Sequence, residues 1–460
     1  MIEPPAQLTL EQWDARYRQL EQAGVASPRY GGPLSRHLHD GDYRLAKLRY
    51  DNSAAALRLW NFLLTEEDRL REARQNGKQL VGAMKDLGTV PILAYSFDNV
   101  VAFYPDGAWW IPCVMELSAG LLEVADSLGI DESFCPVRAM LGAFVTGCHF
   151  PIPDLLVCSA GAVCDDFSAI AQRLEDLGQE ILWWEIPHRR TPDEGEPVAS
   201  LPGGGIAPKR QVELVNSELA RVKSALEGLA GQSLSEPALR EGIRQANRIR
   251  RRLAELRELA YTAERCPMPA LEMLIAEMLA LHFCSDRDEC LVVLDALLLE
   301  VRRRVAAGVG VLAADAARIF WVNPVADLRV MNLLEACGGR ICGTEYLFTH
   351  ALDTIAEDAP PMEALAAAAL ADPMVGSSLD RAQRICHDIE RFGAEAVVVS
   401  RVPGASHCAL EGWAIAEVVR QRCGIPVLEV EVPPLADAVT PALQTRLEAL
   451  IETVKQRRQS

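Results

Sequence analysis

Three cysteines share a local setting that the other thiols of the chain lack. Cys135 lies in Ser133-Phe-Cys-Pro-Val-Arg, Cys164 in Gly161-Ala-Val-Cys-Asp-Asp-Phe, and Cys408 in Pro403-Gly-Ala-Ser-His-Cys-Ala-Leu-Glu. Pro136 is favoured at the first position of a helix, which puts Cys135 at its N-cap. Asp165 and Asp166 suit the first turn of a helix opened by Cys164, and Cys408 opens a helix after an apolar strand pattern. A helix N-terminus offers N–H groups without helical partners and a positive partial charge. Both favour thiolate over thiol. Thiolate is the form that binds iron, and soft sulfur suits iron–sulfur clusters. The same setting also serves a nucleophilic cysteine. Structural zinc is disfavoured, since such sites usually show close cysteine pairs of the C-x2-C kind and none occurs here.

Other candidates surround these three. Cys148, in Thr146-Gly-Cys-His-Phe, is a candidate additional ligand or neighbour of the site. His149 and His407 adjoin site cysteines, and Glu411 lies one helical turn beyond Cys408; these are the candidate proton donors. His282, Cys284 and Cys290 look metal-like, but they fall in a helical stretch with Asp and Glu between them. Cys113, Cys158, Cys266, Cys337, Cys342, Cys386 and Cys423 sit in apolar or helix-end contexts and read as structural, because free Cys is among the most buried residue types.

Residues 1–88 read as a polar, helical lead-in, with patterns over 10–23 and 54–75. Strand and helix alternate over 89–208, with strands at 154–159 and 181–186 around a helix at 164–178, then a Pro- and Gly-rich linker at 192–208. Residues 209–308 are helical, and their arginine runs read as solvated faces. Alternation returns over 309–460, with strands at 318–322, 340–346, 396–400 and 426–432 and helices at 325–336 and 409–422. Repeated strand–helix–strand units predict an α/β fold of two parallel sheets, in which ligands sit beyond the carboxyl ends of the strands.

The formal net charge of -18 argues against nucleic-acid binding. No apolar run reaches the roughly 20 residues of a membrane span, and the first residues lack a signal-peptide pattern, so a cytoplasmic protein is expected. The 13 cysteines are odd in number and sparse, unlike a disulfide scaffold. No G-x-G-x-x-G or Walker A motif occurs, so neither an NAD nor an ATP site is expected.

Taken together, Phe134-Cys135-Pro136, Pro153–Val157, Cys164-Asp165, Asn247-Arg248-Ile249-Arg250, His407-Cys408, Gly424–Glu429 and Thr445–Ala449 resemble the 2-hydroxyacyl-CoA dehydratase / benzoyl-CoA reductase family, over residues 90–455. The resemblance implies two Rossmann-like modules separated by a helical segment, and a [4Fe-4S] cluster on Cys135, Cys164 and Cys408. It also implies an acyl-CoA thioester substrate, a homologous second subunit in a homo- or heterodimer, and a separate ATP-dependent iron–sulfur activator. The activator's electron would generate a ketyl radical on the thioester, which expels hydroxide. A benzoyl-CoA reductase subunit, a non-catalytic partner subunit and a double-cubane reductase are the alternatives. The double-cubane branch carries cysteines where this chain has Leu347-Phe348-Thr349 and Pro373-Met374-Val375.

Overall fold

The computed structural model describes residues 4–22, 30–38, 44–86, 88–106, 118–434 and 436–459, with the backbone alone at 44, 118, 119, 406–409 and 436. Two four-stranded parallel sheets dominate it. The first consists of β1 (Gln79–Met84), β2 (Val100–Phe103), β3 (Leu155–Gly161) and β4 (Ile181–Ile186), in the order β2-β1-β3-β4. The second consists of β5 (Ala317–Val322), β6 (Gly339–Glu345), β7 (Ala396–Arg401) and β8 (Val427–Glu431), in the order β6-β5-β7-β8. All pairings within both sheets are parallel. Central strands buried on both faces read as continuous apolar runs, and Val397, Val398 and Val399 are fully buried.

Each sheet has the same switch point. The chain leaves its first strand toward one edge and its third strand toward the other, so a crevice forms between the carboxyl ends of β1 and β3, and likewise of β5 and β7. The first residue after β1 is Lys85, with φ 60°, and the first after β5 is Asn323, with φ 73°. Non-glycine residues seldom adopt this left-handed region. Ser159 Oγ donates to the Lys85 carbonyl at 2.6 Å, and Asn323 Nδ2 donates to the Ser400 carbonyl at 2.8 Å. The two modules therefore repeat one design at the strand ends.

Helix α1 (Asp165–Asp176) follows β3, and α2 (Lys209–Ala230), α3 (Glu236–Thr262) and α4 (Arg287–Ala306) form most of the helical segment. Helices α5 (Ser378–Phe392) and α6 (Ser406–Cys423) flank β7. The N-terminal region adds helices at Leu10–Gln22, Ala54–Leu64 and Glu66–Gln75, locked to the helical segment by a buried pair between Arg304 and Asp51 at 2.5 Å.

β1 lies inside the stretch expected to be a helical lead-in. It follows the charged helix Glu66–Gln75 after the Asn76-Gly77 turn, and its six residues are too few to show a period of their own. The Pro- and Gly-rich stretch after β4 is also more ordered than a linker. Val198–Ser200 pairs with Ile206–Pro208 as an antiparallel ribbon. Just before it, the Arg189 N–H donates to the Val375 carbonyl at 2.9 Å and its Nη1 to the Leu370 carbonyl at 2.5 Å. These contacts seam the first module to the second.

Candidate functional site

Cys135 caps a turn at Pro136–Arg138 that runs into the helix Ala139–Thr146. Cys164 is the N-cap of α1. One buried carboxylate joins them: Asp166 Oδ1 accepts from the Cys135 N–H at 3.2 Å, and Asp166 Oδ2 lies 3.3 Å from Cys164 Sγ. Both cysteines are half-buried.

The backbone places Cys408 in the first turn of α6, after the carboxyl end of β7. The loop that leads to it packs on the segment that leads to Cys135. A Cβ at Gly404 (φ +78°) would stand 2.4 Å from the Phe134 carbonyl oxygen and 2.9 Å from that of Glu132, so only glycine permits this approach. The segment that bears Cys135 is thus linked to Cys164 through Asp166 and to the loop before Cys408 through Gly404. The side chains of Cys408 and His407 lie outside the described residues, as does all of Cys113. Among the described residues no three His, Cys, Asp or Glu side chains are grouped to hold a metal ion.

Lys85 stands across the first crevice from Cys164. Its side chain is 5 % exposed, and Nζ bonds Ser168 Oγ at 2.9 Å, in the opening turns of α1. Burial holds its ammonium below the ordinary lysine range, while Cys158, Cys164, Asp165 and Asp166 oppose that shift electrostatically. Cys158 itself is buried in β3, and burial pushes its thiol up to about 12, so it is a core thiol.

The other candidates are placed as follows. Cys148 is exposed, and His149 is buried with φ 72°. Glu411 is held by Arg381 Nη1 at 2.8 Å; Arg381 also bonds Glu345 Oε2 from Nε at 2.9 Å and Asn323 Oδ1 from Nη2 at 2.5 Å. Glu411 is therefore part of a buried ion network beneath the second crevice. His282, Cys284 and Cys290 are buried in the helical segment; burial raises both thiols, and His282 approaches Glu66 at 3.9 Å.

Sequence reasoning missed Lys85, Asn323, Arg381 and the bridging role of Asp166. The apolar run Leu80–Met84 ending in Lys85-Asp86 carried the signal of a buried strand end for Lys85. A cleft of about 810 Å³ opens at the seam, lined in part by Arg189, Gly203, Gly204, Arg384, His387 and Arg422.

Two parallel α/β modules, with the loop before Cys408 packed on the segment before Cys135, define a class of two-module α/β proteins. The chain belongs to the 2-hydroxyglutaryl-CoA dehydratase D-component family, whose family model matches residues 91–454. It is also similar to the putative dehydratase subunit YjiM of Escherichia coli (strain K12), 28% identical over 249 residues. That match covers 52% of this chain and 63% of the relative, so the chain spans less than two thirds of its length. No helix among the described residues is long and apolar enough to cross a membrane.

Proposed function

We propose that the chain is an enzyme subunit of the 2-hydroxyacyl-CoA dehydratase type, with a [4Fe-4S] cluster on Cys135, Cys164 and Cys408. The reading is carried by one observation: three cysteine segments from two modules are linked, by Asp166 between Cys135 and Cys164 and by the Gly404 approach to Phe134. The donor set fits the group. Cys164 opens the twelve-residue helix α1, Cys135 the turn before Ala139–Thr146, and the buried Lys85 brings positive charge to the opening turns of α1. When bound, the cluster would supply a single low-potential electron to a thioester.

The chain's own part is to position and to exclude. Asp166 fixes the spacing of two ligand loops. His149 and His407 are the proposed proton donors. Glu411, the third proposed donor, is held by Arg381. The seam cleft, with Arg189, Arg384 and Arg422, has room for the nucleotide end of an acyl-CoA. Water leaves a 2-hydroxyacyl-CoA once a separate ATP-dependent activator has delivered the electron, and a homologous second subunit completes the assembly. Residues 1–88, 89–208, 209–308 and 309–460 are the proposed units, with β1 (Gln79–Met84) of the first stretch joined to the sheet of the second.

The test is anaerobic purification with iron and acid-labile sulfide assayed on wild type and on Cys135→Ala, Cys164→Ala and Cys408→Ala. About four irons per chain are expected, as in a [4Fe-4S] centre, with loss in each variant. No iron after anaerobic reconstitution would overturn the reading.

A further inference from the structure

A buried ammonium normally has a counter-charge, because an isolated charge in a protein interior is costly. Among the described residues Lys85 has none in contact: its Nζ donates to the neutral hydroxyl of Ser168, and no carboxylate forms an ion pair with it. Asp165 and Asp166 lie within electrostatic reach, but Asp166 is committed to Cys135 and Cys164. The backbone at Lys85 is left-handed, and its carbonyl is pinned by Ser159. Such strain persists only where surrounding structure enforces it, and it clusters at functional sites.

The second module shows the contrast. Asn323 occupies the equivalent position and conformation. The cation there is Arg381, which is neutralised by two carboxylates, Glu345 and Glu411. One crevice therefore holds a cation in direct ion pairs, and the other a cation with carboxylates only at longer range.

We propose that Lys85 is the positioning residue of the cysteine site, its buried ammonium supplying the positive charge that balances an anionic, thiolate-ligated group held by Cys164 and its partners. The assignment rests on the cluster reading above. It assigns Lys85 an electrostatic role: a nearby cation stabilises the more negative, reduced form of such a group and so raises its potential.

The experiment compares wild type, Lys85→Met and Lys85→Arg after anaerobic reconstitution, reading iron content and the midpoint potential by redox titration. Lys85→Met should retain iron and shift its midpoint negative, and Lys85→Arg should return it toward wild type. An unchanged midpoint in an iron-loaded Lys85→Met overturns the proposal. If Lys85→Met does not fold, Ser168→Ala decides: it frees the ammonium without removing it, so a smaller negative shift supports the role and no shift rejects it. A second readout needs no cluster. In the apo protein at neutral pH, alkylation of Cys164 by iodoacetamide should slow several-fold in Lys85→Met and recover in Lys85→Arg; equal rates count against Lys85. A wild type that takes up no iron would defeat the cluster reading alone and leave Lys85 to be judged by alkylation.

Discussion

The two oxygens of Asp166 are divided between two loops, one accepting from the Cys135 N–H and the other lying against Cys164 Sγ. Replacing it with alanine leaves a partly buried N–H without its acceptor, at a cost of roughly 1–3 kcal/mol. Asp166→Ala should therefore fold but lose iron in air faster than wild type, measured as the decay of cluster absorbance; equal decay would refute the bridging role. The helix openings at Cys135 and Cys164 were legible in the sequence because their signal is local: proline or carboxylates just after a thiol mark such an opening. Lys85 was not: the apolar run Leu80–Met84 marks a strand end, but it does not tell whether the lysine that follows is buried. Its burial and backbone angle are set by Ser159 and Ser168, which are far from it in sequence.

At the scale of elements, the strands at 181–186, 318–322 and 396–400 and the helical segment were readable from apolar runs bounded by turns and charged periodic stretches. β1 was not, being short and preceded by polar helix. The convergence of the loops was not readable either, since it depends on Gly404, whose role appears only against the Phe134 carbonyl. Gly404→Ala should cost about 1–3 kcal/mol in backbone strain and contact, and should lower iron per chain by displacing the loop before Cys408. Gly424, also left-handed (φ +63°), faces open space. Gly424→Ala is the control, expected to lower thermal stability by a similar strain while leaving iron unchanged. Equal iron loss in both variants would sever the link between Gly404 and the site.

For the molecule as a whole, the N-terminal region is bound to the helical segment through buried carboxylates. Glu272 Oε1 accepts from Trp60 Nε1 at 3.0 Å and from the Asp51 N–H at 3.0 Å. Burial, with Asp51 beside it, pushes the Glu272 carboxyl up to about 8. The folded chain thus keeps a proton that the unfolded chain releases near its usual value of about 4.3. The stability this contributes is full below that value and is lost as pH rises toward 8. Glu272→Gln keeps the acceptor oxygen without the titration. Its Tm should fall less steeply than wild type between about pH 5 and 8, with residual slope from Glu335 and Asp372, each pushed up by burial to about 7. Parallel Tm profiles would show that Glu272 titrates alike in both states.

The seam between the modules is fastened largely by main-chain groups: the Val375 and Leu370 carbonyls accept from Arg189, which also pairs with Asp380 at 3.6 Å, and the Phe134 carbonyl leaves no room for a side chain at Gly404. Salt screens exposed charge pairs over about 10 Å or less, but has little purchase on buried hydrogen bonds or on steric fit. Brine should therefore loosen outer pairs such as Arg190–Glu196 while the two crevices keep their alignment, so that ionic strength and the geometry of the site are uncoupled.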